Sequence, residues 1–363
     1  MPSSSVRGLE LHGLPIGDVK KPQRILVVRT DRIGDVVLAT PLIRALRQTF
    51  PSAYIAAMVR PYARDLLRHS PRLNDILVDD PTGEHTGRKG FWNQVSLLRR
   101  HRFDTALLLL PTERLAWMLF LAGIRTRVGV GTILYEALTL MKTVSRKKYI
   151  PLRHEADYCM DLGRVLGVAS DDLTTELFLT ESEKDEAQRL VRPTSNNEEI
   201  LVGIHPGSGH SSPNWRIERY AELAAMMLEH RNVRIVITGS EQESALIPHF
   251  NSLDPERVTN LIGQLSLRQL MGVIAQLQVL VSSSTGPMHV AAALGVPTVS
   301  MFCPLTACSP LLWGPKGNKA EILFAPESYC THQCPGDPHV CDFEGGIGVH
   351  EVHTAVLRSI NHP

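Results

Sequence analysis

S-S-S-T-G-P-M-H-V-A-A-A-L-G-V-P, residues Ser282 to Pro297, decides the architecture of this chain. The apolar run Leu277–Val281 leads into it as a buried strand. Thr285 and Gly286 then occupy the cap of a helix. Pro287 suits the first helical position, where a missing N–H costs no intrahelical bond. Met288–Leu294 carries the helix and Gly295 closes it. Free N–H groups and the positive end of the dipole converge on Thr285 and Gly286, beside small hydroxyl residues, and such a place suits phosphate. A plain strand–turn–helix crossover with a well-made cap has the same pattern, so the rest of the chain must choose.

Outward from that segment, strands and helices alternate in two series. The first comprises strand Arg24–Arg29, helix Asp35–Phe50, strand Ala53–Val59, a short helix Tyr62–Arg68, strand Ile76–Val78, helix Phe91–Arg100, strand Asp104–Leu110, helix Trp117–Ala122, strand Thr126–Val130 and helix His154–Leu166. A break rich in acidic residues, with Pro193 and S-N-N-E-E, covers Ser170–Asn197. The second series holds strand Ile200–His205, helix Ile217–His230, strand Val233–Thr238, helix Glu241–Phe250, helix Leu267–Gln276, strand Val279–Ser282, the helix already described and strand Thr298–Phe302. A turn-rich region, Tyr329–Gly348, precedes a final helix, Val349–Ile360. Alternation of this kind implies parallel sheets with right-handed crossovers. The expected division is a polar tail 1–21, a first α/β domain 22–190, a second 198–346, and a last helix 347–363 that packs back across both. Open parallel sheets bind ligands at the carboxyl ends of their strands. Every loop singled out below follows a strand at that end, which favours the phosphate site over the plain crossover.

Length and composition agree. With 363 residues, 43% of them apolar, the chain can fill two cores, and a net charge of +1 gives no global attraction to nucleic acid. Two local basic stretches stand out: Lys142, Arg146, Lys147, Lys148 and Arg153, and Arg99, Arg100 and Arg102. They read as solvated surfaces, and together they leave peripheral contact with a bilayer open. The amino-terminal residues lack an export signal and no stretch is long enough to span a membrane, so a cytoplasmic location is expected. Six cysteines are too few for a disulfide scaffold.

Two further loops carry chemistry. R-T-D-R-I-G-D follows the first strand. Gly34 allows a tight turn, and Asp35 falls in a first helical turn, where the dipole favours an ionised carboxylate. Such a group can take a proton from an attacking hydroxyl, or simply cap its helix. H-P-G-S-G-H-S-S-P-N-W, His205 to Trp215, follows the first strand of the second series. There Gly207 and Gly209 admit a ligand close to backbone N–H groups, and Ser208 adds a hydroxyl. Neither loop is the Gly-rich dinucleotide fingerprint, which disfavours a dehydrogenase.

Taken together these loops resemble glycosyltransferase family 9, the ADP-heptose:lipopolysaccharide heptosyltransferases. The likeness is carried by R-I-L-V-V-R-T-D-R-I-G-D-V-V-L-A-T-P (Arg24–Pro41), F-D-T-A-L-L-L-L (Phe103–Leu110), H-P-G-S-G with N-W (His205–Trp215) and S-T-G-P-M-H-V-A-A-A-L-G-V-P-T-V (Ser284–Val299). The resemblance implies a GT-B fold, two Rossmann-like domains with parallel sheets facing across a cleft. It implies inverting, metal-independent transfer of a heptose from ADP-heptose to a lipid-linked, lipopolysaccharide-core-type acceptor, without a cofactor. Asp35 takes the general-base position. Gly207, Ser208 and Gly209, with Ser284, Thr285, Gly286, Pro287 and His289, take the donor diphosphate. Glu241 or Glu243 lies near the ribose, and Arg32 and Arg60 are assigned to the acceptor. The implied location is cytoplasmic, with the inner face of the inner membrane left open.

Two departures accompany the likeness. The family usually places Lys two residues before the Trp, where this chain has Pro213, and often Asp where it has Ser284. Arg216 or Arg32 is then expected to supply the missing positive charge. Use of another nucleotide sugar, or sugar-nucleotide binding without catalysis, stays open on the same ground. Cys330, Cys334 and Cys341, with His332 and His339 between them, have a spacing that admits tetrahedral zinc. Loop cysteines are the preferred alternative, and Cys303 and Cys308 read as structural.

Overall fold

The computed structural model describes residues 21–131, 133–145, 150–191, 199–209, 212–337 and 339–361. The expected tail lies outside these residues except for Lys21, as do Arg146, Lys147 and Lys148 of the first basic stretch.

Two six-stranded sheets, each wholly parallel, form the frame. The first contains β1 (Arg24–Val28), β2 (Tyr54–Val59), β3 (Asp75–Val78), β4 (Thr105–Leu108), β5 (Thr126–Val130) and β6 (Lys142–Val144), in the order β3-β2-β1-β4-β5-β6. The second contains β7 (Ile200–His205), β8 (Val233–Ile237), β9 (Val258–Asn260), β10 (Val279–Ser283), β11 (Thr298–Phe302) and β12 (Ala320–Phe324), in the order β12-β11-β10-β7-β8-β9. Counted from its own first strand, each sheet runs 3-2-1-4-5-6. The order therefore reverses between β1 and β4, and between β7 and β10, and crevices for ligands open at such switch points. Leu26 pairs with Ala56 on one side and Ala106 on the other, and Val281 with Ile204 and Val299. The cores of these strands, Ile25–Val28 and Val279–Val281, are apolar and buried because helices cover both faces.

The first half carries α1 (Ile33–Leu38), α2 (Thr40–Thr49), α3 (Gly87–His101), α4 (Glu113–Leu121), α5 (Leu134–Leu138) and α6 (Glu155–Arg164). After α7 (Glu181–Val191) come α8 (Ile217–Leu228), α9 (Leu267–Ile274), α10 (Gly286–Ala293), α11 (Pro310–Trp313), α12 (Glu327–His332) and α13 (Val349–Asn361). The single helix expected over Asp35–Phe50 is two. Pro41 has no N–H for the Val37 carbonyl, and the Thr40 hydroxyl donates to that oxygen instead at 2.7 Å. Pro61–Leu67 and Glu241–Phe250 are 3-10 segments, the latter containing Pro248. The break expected over Ser170–Asn197 contains α7, which packs on α9 of the second half, with Gly272 facing Ala187 and the Glu183 carbonyl. The last helix makes its main packing with the second half. Its stripe Val349, Val352, Ala355 and Val356 is buried in the second half's core with Tyr220 and Met227, against α8, β10 and β11.

The two halves share an apolar cluster. Val36, Val37, Val59 and Leu66 from the first meet Val290, Ala291, Leu280 and Ile274 from the second. At its edge Arg268 of α9 donates to the Asp65 carbonyl of the first half at 3.1 Å and pairs with Glu183 at 2.5 Å. The consequence for function is direct: α1 lies on α10, so the loop after β1 meets the loop after β10. Among the described residues, no helix is long and apolar enough to cross a membrane.

Candidate active site

The loop after β1 is organised by Arg29, the first residue beyond that strand. Its guanidinium is buried and bonds three carboxylates: Nε to Asp31 at 2.8 Å, Nη2 to Asp35 at 2.6 Å and Nη1 to Glu155 of α6 at 3.0 Å. Burial alone would lower the Arg29 pKa, but Cys159, Asp31, Asp35 and Glu155 raise it and prevail. The Asp31 carboxyl is pushed up to about 6, chiefly by burial and further by Asp35, against the opposing pull of Arg29. Asp31 and Asp35 keep 16% and 14% of their side chains exposed, whereas Glu155 keeps 1%. The two aspartates are thus the carboxylates open to a substrate.

Across the interface, Thr285 is the N-cap residue of α10. Gly286 begins the helix and Pro287 follows it, one position later than the sequence suggests. The Thr285 hydroxyl makes no cap bond, and its buried Oγ1 has no hydrogen-bond partner among the described residues. The same holds for the buried Nδ1 of His289. Burial drives the His289 pKa down to about 3, assisted by the charge of His154, so its imidazole is neutral at physiological pH. The His289 ring and Gly286 border α1. A Cβ on Gly34 would stand 2.7 Å from His289 Cδ2, and one on Gly286 would stand 3.2 Å from Ile33 Cγ2. Glycine at both positions is what lets the two helices approach.

The loop after β7 is locked beside the same helix end. Ser212 donates to the Ser284 carbonyl at 2.9 Å. Asn214 accepts from Ser283 at 2.7 Å and from Tyr220 at 2.8 Å, while its amide holds the Pro206 carbonyl at 2.7 Å. Gly209 adopts φ +52° and is exposed. Gly207 is buried against Glu243, whose Oε1 would lie 1.7 Å from a Cβ there. Glu243 is therefore beside this loop, accepting from the backbone and hydroxyl of Ser240, while Glu241 points to solvent.

The cations divide differently from the sequence expectation. Arg216 pairs with Asp342 at 2.5 Å, an ion pair formed with the chain 126 residues on, and its side chain stays 59% exposed. Arg60 donates to the Thr30 carbonyl at 3.0 Å and Tyr62 to the Asp31 carbonyl at 2.7 Å, so Arg60 braces the loop. Arg32, the N-cap residue of α1, is exposed and has no side-chain hydrogen bond or ion pair among the described residues. Of the basic stretches, Arg153 is tied to Asp157 and Asp161, and Arg99 to the Leu121 carbonyl. Cys330, Cys334 and Cys341 do not assemble a zinc tetrahedron: among the described residues no three His, Cys, Asp or Glu side chains are grouped to hold a metal ion. Cys341 is buried against the Tyr329 hydroxyl, 3.5 Å away.

Several site residues lie outside the sequence expectation. Arg29 could have been flagged as a charge ending an apolar strand, but nothing local announces Glu155. A cavity of about 530 Å³ is lined by Pro81, Gly87, Arg88, Phe91, Trp92 and Arg114, where the segments after β3 and β4 meet the start of α3. Arg114 is steadied by Asp79 at 2.6 Å, and Arg88 and Trp92 are exposed.

The model of glycosyltransferase family 9 (heptosyltransferase) matches residues 92–337, about two thirds of the chain. The chain belongs to this family. Among curated relatives, lipopolysaccharide heptosyltransferase 2 of Escherichia coli K12 is 27% identical over 310 residues, covering 83% of this chain and 87% of that protein. The lipopolysaccharide core heptosyltransferase OpsX of Haemophilus influenzae is 26% identical over 308 residues, covering 83% and 84%. Among solved structures, a family 9 glycosyltransferase from Veillonella parvula superposes with a TM-score of 0.80 at 21% identity, covering 94% of this chain and 98% of the other. E. coli ADP-heptose lps heptosyltransferase II superposes at 0.73 and 23%, covering 93% and 98%. The family 9 member described here is thus a glycosyltransferase of GT-B fold, with two Rossmann-like halves.

Proposed function

We propose that this glycosyltransferase moves a heptose, with inversion and without a metal, from ADP-heptose to an acceptor of the lipopolysaccharide core. The observation that carries the proposal is the apposition of two elements. A carboxylate, Asp35, is held by Arg29 at the first sheet's switch point, and the α10 amino terminus, with orphaned Thr285 and His289, stands at the second's. Asp35 accepts the proton of the acceptor hydroxyl as that oxygen bonds the anomeric carbon from the face opposite the diphosphate. The bond to the diphosphate breaks and ADP leaves with the electron pair. The growing negative charge falls on the N–H groups of Gly286 and Met288, the Thr285 hydroxyl and the neutral His289, a preorganised set of donors. Arg32 supplies the mobile cation at the mouth, and Glu243, against Gly207, is placed for the ribose.

The acceptor is assigned to the first half. Arg88 and Arg114 over Phe91 and Trp92 suit an anionic sugar, with charge for the carboxylate or phosphate and rings for the pyranose face. A lipid-linked acceptor also requires approach to a bilayer. Ile133, Leu134, Leu138, Leu140 and Ile150 are 47–77% exposed around α5 and β6, next to exposed Lys142. Apolar side chains flanked by basic ones fit the anionic inner face of the cytoplasmic membrane.

The test is ADP release on incubation with ADP-heptose and a lipid-core acceptor. Turnover supports the proposal. Tight ADP-heptose binding without release supports a non-catalytic sugar-nucleotide-binding protein, a reading favoured by buried Pro213. Turnover with UDP- or GDP-sugars alone supports a different donor.

A further inference from the structure

The proposed reaction assigns Asp31 no part, yet it is built into the same guanidinium. The geometry of that guanidinium is informative. Nε and Nη2 form one edge of the Arg29 fork, the edge that ordinarily receives both oxygens of a single carboxylate. Here Asp31 takes the Nε position at 2.8 Å and Asp35 the Nη2 position at 2.6 Å, so oxygens from two different residues share that edge. Glu155 takes the remaining nitrogen at 3.0 Å. Three carboxylates thus share one positive charge, in a setting that only Asp31 and Asp35 leave at the solvent side. Two carboxylates at one site do not ionise independently, and one of them is drawn to a proton.

We propose that Asp31 and Asp35 act as one carboxylate pair on Arg29, Asp31 taking from Asp35 the proton of the acceptor hydroxyl for release to solvent. This rests on the assignment of Asp35 as the base. The proton leaves the acceptor oxygen as that oxygen bonds the anomeric carbon, resides on Asp35, crosses to the adjacent Asp31 oxygen, and passes to water through the exposed face of Asp31. Asp31 is a positioning and proton-holding residue acting through Asp35. The loop is braced for the task by Arg60 on the Thr30 carbonyl and Tyr62 on the Asp31 carbonyl. The charged and titratable groups facing the pair are Arg29, Glu155 and Cys159 behind it, Arg32, Arg60 and Tyr62 at its rim, and His289 across Gly34. The upward displacement of Asp31 to about 6 is in keeping with the shared edge.

The experiment compares the pH dependence of kcat/KM for the wild type, Asp31→Asn, Asp31→Glu and Asp35→Asn, with ADP release as the readout. Asn at 31 keeps an oxygen for Arg29 but removes the carboxyl of the pair that titrates near 6 and receives the proton. The expected result for Asp31→Asn is an acid limb displaced by about one pH unit to lower pH, with a roughly tenfold lower rate on the plateau. Asp31→Glu, which keeps the charge, retains the wild-type limb. An unmoved limb in Asp31→Asn, or one moved equally far by Asp31→Glu, overturns the proposal. Loss of activity in Asp35→Asn, with either of those outcomes, leaves the base assignment standing. Full activity in Asp35→Asn sinks the base assignment itself.

Discussion

Replacing Arg29 with Met keeps much of the side chain's length and deletes its charge, so it asks what the buried guanidinium contributes. Three contacts are lost, at 2.8, 2.6 and 3.0 Å. Removing one partner of a buried ion pair costs about 3–5 kcal/mol, because the charge left behind is uncompensated. Asp31 and Asp35 retain 16% and 14% exposure and can recover hydration, whereas Glu155, at 1%, cannot. The loss is therefore concentrated on Glu155 and falls near the lower end, about 3 kcal/mol. It also depends on pH. A buried carboxylate deprived of its cation binds a proton more tightly in the folded chain than in the unfolded one, so acidification stabilises the variant. The gap to the wild type narrows by up to about 1.4 kcal/mol per pH unit and per proton taken up. Urea unfolding of both proteins at pH 8 and pH 5.5 measures this. A deficit under about 1 kcal/mol at pH 8, or one that does not shrink at pH 5.5, would show that Arg29 does not compensate these carboxylates.

Four other outcomes follow from named contacts. Gly34→Ala places a methyl 2.7 Å from His289 Cδ2, and is expected to cost about 1–3 kcal/mol and to lower turnover, as seen by thermal melting and ADP release. Thr285→Ala removes a hydroxyl with no partner among the described residues, so stability holds while ADP affinity falls roughly tenfold in calorimetric titration. Leu134→Glu combined with Leu138→Glu is expected to abolish sedimentation with anionic vesicles and leave turnover on a detergent-dispersed acceptor intact. His154, bonded through Nε2 to the Gly314 carbonyl at 2.8 Å, is lowered to about 4 by burial. The unfolded chain takes up this proton below about 6.5, so stability falls as pH drops from there toward 4. At about 1.4 kcal/mol per pH unit, His154 accounts for roughly 3 kcal/mol of that loss, and melting curves of His154→Asn are expected to be flatter over this range.

The parts legible in the sequence were those written in local pattern. Runs such as I-L-V-V and V-L-V-S announce central strands, since a strand covered on both faces has no polar side. The Thr285–Gly286–Pro287 cap and the Asp35 first turn were readable for the same reason: a handful of adjacent residues fixes them. Of the four edge strands, only β3 was. Lys142–Val144 and Val258–Asn260 are three residues each, too short for a periodic signal, and β12 is an outer strand with only one fully buried residue. Helix α7 reads as a charged linker because only Ala187 and Val191 are buried in it. What no window could show was pairing across the chain. Arg216 finds Asp342, Arg29 finds Glu155, and both partners lie 126 residues away. The sequence offers Arg216 or Arg32 as the cation for the donor phosphate, and only the fold shows that Arg216 also pairs with Asp342.

The claim that Asp35 and the α10 amino terminus serve one reaction from opposite halves is tested most directly by separating binding from turnover in Asp35→Asn. ADP-heptose is expected to bind this variant as it binds the wild type, while ADP release falls by about 10²–10⁴-fold. Undiminished release, or a loss of donor affinity as large as the loss of rate, would contradict it.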